Sequence, residues 1–312
     1  MQRWLESRAL PANLRGMDHI AFLRTLDGPT RDSLTRRSDL RGVVHLAGHA
    51  GAIVAMGLYI AVQGPFWGLL LVPQGVALVF LFTLSHECTH GTPFANPRLC
   101  DLVGHAVAPI LALPFLWFRY FHLAHHRFTN DPERDPEIAG HGRPETTKEY
   151  LIYVSGWGYW SGNIAILWTN AFGRIVADYL PARRHDAMRR EARVILGLYG
   201  LAALSLAFSP VLFWIWLLPV LVGQPFLRLY LLAEHGHCPP VADMLENTRT
   251  TLTNRILRFF AWNMPYHAEH HAFPAVPFHA LPRLHGLVRD HLKTVAPGYA
   301  AFTRAYIGDL DG

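Results

Sequence analysis

"VVHLAGHAGAIVAMGLYIAVQGPFWGLLLVPQGVALVFLFTL", residues 43–84, contains no Lys, Arg, Asp or Glu. A helix needs about 20 apolar residues to cross a bilayer, so this stretch is long enough to cross twice. We predict one span over Val43–Val62 and a return span over Phe66–Leu84, joined by the turn "QGP". This hairpin indicates an integral membrane protein built from helices.

A second charge-free stretch, Val194–Leu227, predicts a second hairpin, with spans at about Val194–Phe208 and Val211–Ala233 around the turn "SP". The whole chain is 51% hydrophobic and only 16% charged, whereas soluble domains carry about 25% charged residues. Apolar runs of this length disfavour the alternative of a buried soluble core. We therefore expect an all-α membrane protein with four transmembrane helices in two hairpins.

The polar segments indicate how these spans are oriented. Arginines are frequent before each hairpin, and the two turns carry none, which by the positive-inside tendency places both termini on the cytoplasmic side. We expect a cytoplasmic N-terminal arm over residues 1–42 and a location in a bacterial inner membrane. The same distribution accounts for the net charge of +5 without a nucleic-acid-binding module.

Two further segments are expected to lie at the membrane surface. Leu99–Phe118 is apolar but holds Asp101 and two prolines, so we predict a re-entrant or interfacial segment. Tyr150–Phe172 is rich in Trp and Tyr, which suits the headgroup zone, although a third hairpin is the alternative. The polar stretch between them, residues 130–148, contains three prolines and predicts an irregular loop.

Three histidine-rich motifs follow predicted apolar segments or lie in the C-terminal polar part. They are "HECTH", "HLAHH" and "HAEHH", which contain His86, His90, His122, His125, His126, His267, His270 and His271. Histidines three and four positions apart lie on one face of a helix, so each motif directs its imidazoles to one place. The predicted topology puts all three motifs on the cytoplasmic side, where they can meet.

The end of the last predicted span, "LAEHGHC", offers a ninth histidine. We favour His235 over His237 because His235 directly continues the helix. Nine imidazoles exceed the four to six ligands of one ion, so two metals are predicted, although imidazole alone leaves zinc, copper, iron and nickel open. Nearby carboxylates are candidates for orienting the imidazoles, namely Glu87, Glu234, Glu269 and Asp131.

With "HECTHG", "HLAHHRFTNDPERDP" and "WNMPYHAEHHAFPAVPFHALPRLH" in this order, the chain resembles the membrane-bound fatty acid desaturases. These belong to a wider superfamily of histidine-rich di-iron desaturases, hydroxylases and ketolases. The resemblance covers about residues 40–290. It implies that residues 43–312 form one membrane-embedded catalytic domain, with a cytoplasmic cap that carries a di-iron site.

The resemblance also implies roles for individual residues and partners. The eight motif histidines, and His235 with them, correspond to iron ligands, and Asn263 to a residue that holds a water near one iron, although a helix cap is the alternative for Asn263. Dioxygen is the implied co-substrate. Nothing in the chain resembles a fused cytochrome b5, so we expect a separate electron donor, such as ferredoxin or cytochrome b5 with its reductase.

The expected reaction is insertion of a double bond into a lipid acyl chain or a similar amphiphile. A di-iron hydroxylase or ketolase acting on a lipid-like or small substrate is the nearest alternative. A membrane metal transporter is a further alternative, but a transporter is expected to place its ligands near the middle of its spans. Here the histidines fall at the ends of the apolar segments.

Overall fold

A computed structural model describes residues 17–139 and 142–311 of the chain. The first sixteen residues of the predicted N-terminal arm therefore lie outside the described residues. The described part is mostly helical. Its first nine α-helices are α1 His19–Thr25, α2 Gly28–Thr35, α3 Asp39–Ala61, α4 Leu71–Val79, α5 Leu81–His90, α6 Pro97–Leu111, α7 Phe115–Phe128, α8 Thr147–Val154 and α9 Trp157–Phe172.

The C-terminal half contains the remaining helices and one small pair of strands. Strands β1 Thr250–Thr251 and β2 Val295–Ala296 pair in parallel, with Thr250 opposite Val295. The helices are α10 His185–Leu206, α11 Leu218–His235, α12 Met244–Asn247, α13 Arg255–Phe260, α14 His267–Ala272, α15 Leu281–Val288 and α16 Tyr299–Gly308.

Three helical stretches in the described residues are long and apolar enough to cross a membrane: Gly28–Ala61, Trp67–His90 and Phe213–His235. They overlap three of the four predicted spans over nearly their whole lengths. The second runs through a 3-10 turn into α4 and α5, and the third begins with a π-helical turn before α11. Long apolar helices in this number indicate association with a membrane.

The fourth predicted span, Val194–Phe208, forms the second half of α10 and stays a prediction. The first half of α10 carries charged residues, so the helix as a whole does not satisfy the same criterion of length and apolarity. Its second half nevertheless exposes an apolar face, formed by Val194, Leu198, Leu201 and Leu204. Exposing such a face to water is energetically unfavourable, and contact with lipid would remove this cost.

The segment predicted to be re-entrant forms α6 and α7, which are bent by 100° at a short break. Glu191 of α10 stabilises the bend, because its carboxylate accepts hydrogen bonds from the backbone N–H groups of Phe115 and Leu116, each at 3.0 Å. These donors at the start of α7 have no partner within the helix. The bend directs the C-terminal turns of α7 toward the end of α5.

The polar stretch after α7 forms turns and irregular backbone up to Thr146, apart from residues 140 and 141, which lie outside the described part. α8 then begins with a capping box formed by Thr146 and Glu149. α8 and α9 cover the segment that we predict to lie in the headgroup zone.

Helices α4 and α11 cross with their backbones in contact. A Cβ added at Gly75 would overlap the carbonyl oxygen of Pro219, and one added at Gly223 would overlap the backbone of Gly75. Small residues at such a crossing let two membrane helices approach closely. This contact fixes the positions of α5 and of the end of α11, which both carry predicted ligands.

Replacing Gly75 by alanine is expected to lower the free energy of unfolding by at least about 1–3 kcal/mol, the usual range for overpacking a filled interior. Gly197→Ala in α10 is the matched control, because a Cβ there meets nothing within 4 Å. Alanine is the better helix former, so this control should be neutral or slightly stabilising. Thermal unfolding in detergent measures both, and equal midpoints would contradict the close crossing.

Candidate metal centre

The three histidine motifs lie on three helices, α5, α7 and α14, whose histidines come together. His86 and His90 are on the last turns of α5. Gly91, directly after the helix, has a left-handed conformation with φ 64°. Glycine adopts this conformation without strain, so the chain turns away directly after His90. α7 and the short helix α14 supply the other two motifs.

Five imidazoles form the first cluster. Each offers one nitrogen, and these nitrogens all lie within 4.8 Å of one another: His86, His90, His122, His126 and His270. Nitrogens bound at about 2.1 Å on opposite sides of an ion lie about 4.2 Å apart. The cluster is therefore compact enough to hold one metal ion.

The second cluster joins α7, the end of α11 and α14. Nitrogens of His125, His235 and His271 lie within 4.8 Å of one another. His267 belongs with them, because its Nε2 is 3.2 Å from Nε2 of His235 and 3.1 Å from Nε2 of His271. The rings of His126 and His271 stack at 4.0 Å, so the two clusters are neighbours.

All nine histidines singled out in the sequence thus come together in two groups. His235 is the last residue of α11 and is 2% exposed. His237 lies outside both clusters, with φ 56°, its ring stacked on Tyr306 and its Nδ1 3.5 Å from Asp309.

The hydrogen-bonding state of the clusters fits a metal. Within the described residues, several buried ring nitrogens have no hydrogen-bond partner: both nitrogens of His86 and His270, Nε2 of His126 and Nδ1 of His267. Buried polar groups are normally paired, so unpaired ones require an explanation. A metal ion bound through one nitrogen each of His86, His126 and His270 would supply it for those three atoms.

Electrostatics around the histidines of α14 also favour neutral ligands. Burial, followed by repulsion from His86 and His90, holds the pKa of His270 well below its ordinary value. Burial likewise lowers the pKa of His267 and His271. These imidazoles remain neutral at physiological pH and keep a lone pair for a metal, which is the form that binds.

Three of the predicted carboxylates lie close to the clusters. Glu234 is 3.3 Å from Nδ1 of His267. Glu87 is fully buried, with one oxygen 3.8 Å from Nδ1 of His270. Glu269 is bonded at 2.5 Å to both Thr250 and His285, so it anchors α14 without contacting a motif imidazole.

The fourth carboxylate, Asp131, lies elsewhere, and this expectation is corrected. It forms an ion pair with Arg134 at the surface. Asp135 occupies the position that we expected for Asp131, since its two oxygens are 2.9 and 3.0 Å from Nδ1 of His125. Glu137 adds a second carboxylate at 3.1 Å from the same nitrogen. Their acidic segment, "NDPERDPE", is the sequence feature that could have indicated them.

Asn263 holds local backbone together. It has φ 57°, and its side-chain amide donates to the carbonyl oxygen of Phe278 at 3.1 Å. The backbone N–H of Asn263 in turn donates to the carbonyl of Arg258, which closes the end of α13. This arrangement differs from an N-terminal helix cap, and the predicted water-binding role stays a prediction.

A cavity of about 230 Å³ opens beside the clusters. Four motif histidines line it: His86, His122, His125 and His267. Its apolar lining residues are Phe82, Leu113, Trp117, Phe118, Phe121 and Leu231. Its other polar lining residues are Tyr159, Asn163, Glu137, Arg228 and Glu234. A substrate in this cavity would lie directly against the imidazoles.

Comparison with known proteins agrees with this geometry. The chain is similar to an omega-3 chloroplastic fatty acid desaturase of Brassica napus, with 23% identity over 241 residues, or 69% of this chain and 59% of the relative. It is similar to a dihydrorhizobitoxine desaturase of Bradyrhizobium elkanii, with 25% identity over 293 residues, or 88% of this chain and 81% of the relative. A fatty acid conjugase of Calendula officinalis is 24% identical over 249 residues, which are 69% of this chain and 66% of the relative.

The chain thus spans less than two thirds of the Brassica and Calendula proteins. A family model described as fatty acid desaturase matches residues 63–303, which is more than half of the chain. That range contains every histidine of the two clusters. The chain therefore belongs to the fatty acid desaturase family.

Proposed function

We propose that this protein is an oxygen-dependent di-iron membrane desaturase that introduces a double bond into a lipid acyl chain or a similar amphiphilic substrate. The observation that carries the proposal is the convergence of nine imidazoles in two neighbouring clusters that open on one cavity. Family membership supports an oxidoreductase of the desaturase type.

In this proposal the five imidazoles of the first cluster would hold one iron, and His125, His235, His267 and His271 would hold the other. When bound, the two irons would supply the reduction of dioxygen and the removal of hydrogen from an unactivated C–H bond. The chain positions and shields this chemistry. Asp135 fixes the orientation of His125 through its Nδ1, and Glu234 places a carboxylate 3.3 Å from Nδ1 of His267.

The apolar wall of the cavity would hold the reacting carbon atoms and exclude water. Its aromatic side chains set the distance between the substrate and the imidazoles. This placement decides between removal of a second hydrogen, which gives an alkene, and addition of oxygen, which gives a hydroxylase or ketolase product. The hydroxylase and ketolase reactions therefore remain the alternatives at the same site.

The surroundings of the site are part of the proposal. Residues 43–312 would form one catalytic domain, with both termini and the metal clusters on the cytoplasmic side of a bacterial inner membrane. Electrons would come from a separate donor, such as ferredoxin or cytochrome b5 with its reductase. A metal transporter is disfavoured because the clustered histidines lie in the last turns of α5, α7 and α11 and on the short helix α14.

Expression in a bacterial host, followed by mass spectrometry of lipids and small metabolites, tests the reaction. We expect a new product lighter by two hydrogens, which requires dioxygen and is absent with the empty vector. A product heavier by one oxygen would select the hydroxylase alternative. Metal analysis of the purified protein should give two irons per chain, and a single exchangeable zinc would contradict the proposal.

A further inference from the structure

Arg228 is a cation in an apolar helix. It lies on α11, within the stretch Phe213–His235 that is long and apolar enough to cross a membrane. Its guanidinium carbon is 4.8 Å from the ring centre of Tyr159 and 5.5 Å from that of Tyr153. Ionisable residues in such helices are costly, and they commonly mark a functional site.

Arg228 has no anionic partner in the part of the chain that the structure describes. Its Nε is buried and lacks a hydrogen-bond acceptor there. Two carboxylates line the same cavity, but Glu137 contacts His125 at 3.1 Å and Glu234 contacts His267 at 3.3 Å. The two tyrosine rings offset only part of the cost of removing a cation from water, since one such contact contributes about 0.5–2 kcal/mol. A guanidinium in this state is prepared for an external anion.

Arg228 lies in the same cavity as histidines of the two clusters. It lines the cavity of about 230 Å³ that is walled by motif histidines. It also lines a neighbouring cavity of about 590 Å³, together with Arg143, Tyr153 and Glu149. Arg228, Tyr159 and Glu137 are common to both cavities. The guanidinium therefore lies at the boundary between this second cavity and the space against the imidazoles.

The size of the inner cavity limits what reaches the histidines. Its volume of about 230 Å³ is smaller than the usual range for drug-sized ligands, about 300–1,000 Å³. A substrate bound at Arg228 would thus place a carbon only a few bonds from its anionic group beside the clusters.

We propose that the substrate is a compact amphiphilic acid whose oxyanion is bound by Arg228, with its apolar part against the phenylalanines next to the histidine clusters. The planar guanidinium suits a carboxylate, because it can donate two parallel hydrogen bonds. This assignment rests on the proposed function for the reaction but makes a separate statement about recognition.

Binding of hexanoate and of its neutral analogue hexanamide tests the assignment without turnover. Isothermal titration of the purified, iron-loaded protein in detergent should give at least tenfold tighter binding of hexanoate. In Arg228→Gln this preference should disappear through loss of hexanoate affinity alone. Arg228→Lys keeps the charge but loses the planar guanidinium. Its affinity for hexanoate should lie between those of the unaltered protein and Arg228→Gln, and it serves as the variant that preserves the fold.

Arg304→Gln is the matched control. Arg304 is an exposed arginine that lines a different, mainly apolar cavity next to Tyr230 and Tyr299, so its loss should leave the preference unchanged. Equal affinities for hexanoate and hexanamide in the unaltered protein would overturn the assignment. A preference for hexanoate that survives in Arg228→Gln would also overturn it. So would a result in which binding of dihexanoyl phosphatidylglycerol depends on Arg228 and binding of hexanoate does not. An intact Arg228-dependent preference in a protein that oxidises no substrate would support the anion site and count against the proposed function.

Discussion

Replacing His270 by alanine is expected to abolish turnover and to remove the metal of the first cluster. His270 is fully buried, and neither of its ring nitrogens has a hydrogen-bond partner in the described residues. Its imidazole belongs to the group whose nitrogens lie within 4.8 Å of one another. Loss of a group that merely orients a metal ligand costs about 10–100-fold in affinity or activity, so loss of the ligand itself should cost more than about a hundredfold.

The measurements are iron per chain after purification and product formed per chain. His237→Ala is the matched control, because His237 comes two residues after the cluster histidine His235 but lies outside both clusters and is half exposed. It should keep full iron content and turnover. Size-exclusion chromatography in detergent establishes that both variants are folded. Full iron content in His270→Ala would remove His270 from the ligand set.

The cluster histidines were predictable because helical spacing is a local property. Positions three and four apart share a face whatever the rest of the chain does. His235 and His237 differ for an equally local reason, since α11 ends at His235 and Gly236 leaves the helical conformation. The choice of His235 for the ninth position therefore followed from helix continuity.

The partner of His125 was not predictable in the same way. Asp131 is nearer in sequence, but Asn130 adopts a left-handed conformation with φ 62°, and the chain turns back after it. This turn directs Asp131 toward Arg134 and brings Asp135 under His125, where Asp135 also accepts a hydrogen bond from the backbone N–H of Asn130 at 2.8 Å. Composition of an acidic loop does not determine which carboxylate points inward.

The membrane spans were likewise predictable only in part. Charge-free stretches indicated the helices at Val43–Val62 and Phe66–Leu84, because a bilayer selects against charge over a fixed length. Helix α3 begins four residues before the first predicted span, at Asp39, and α5 ends six residues after the second, at His90. The position of Arg228 was not visible in the sequence, since only the packing of α11 against its neighbours places the guanidinium over Tyr153 and Tyr159.

Replacing Asp135 by asparagine is expected to weaken metal binding at the second cluster by about 10–100-fold, with a similar loss of turnover. Asp135 is fully buried, and both of its oxygens lie within 3.0 Å of Nδ1 of His125. The carboxylate holds the proton on Nδ1 and leaves Nε2, which is 3.2 Å from Nε2 of His235, free for a metal. Asparagine has the same size and can still accept from the backbone of Asn130, but it lacks the charge and offers an N–H to one side.

Asp131→Asn is the matched control for this change, because Asp131 pairs with Arg134 at the surface and contacts no clustered imidazole in the described residues. Its iron content should equal that of the unaltered protein. Iron retention is measured against a graded series of chelator concentrations, so that loss from the second cluster appears as a step of one iron per chain. If the two variants lose iron at the same chelator concentration, Asp135 does not orient His125, and the carboxylate serves only to close the turn after α7.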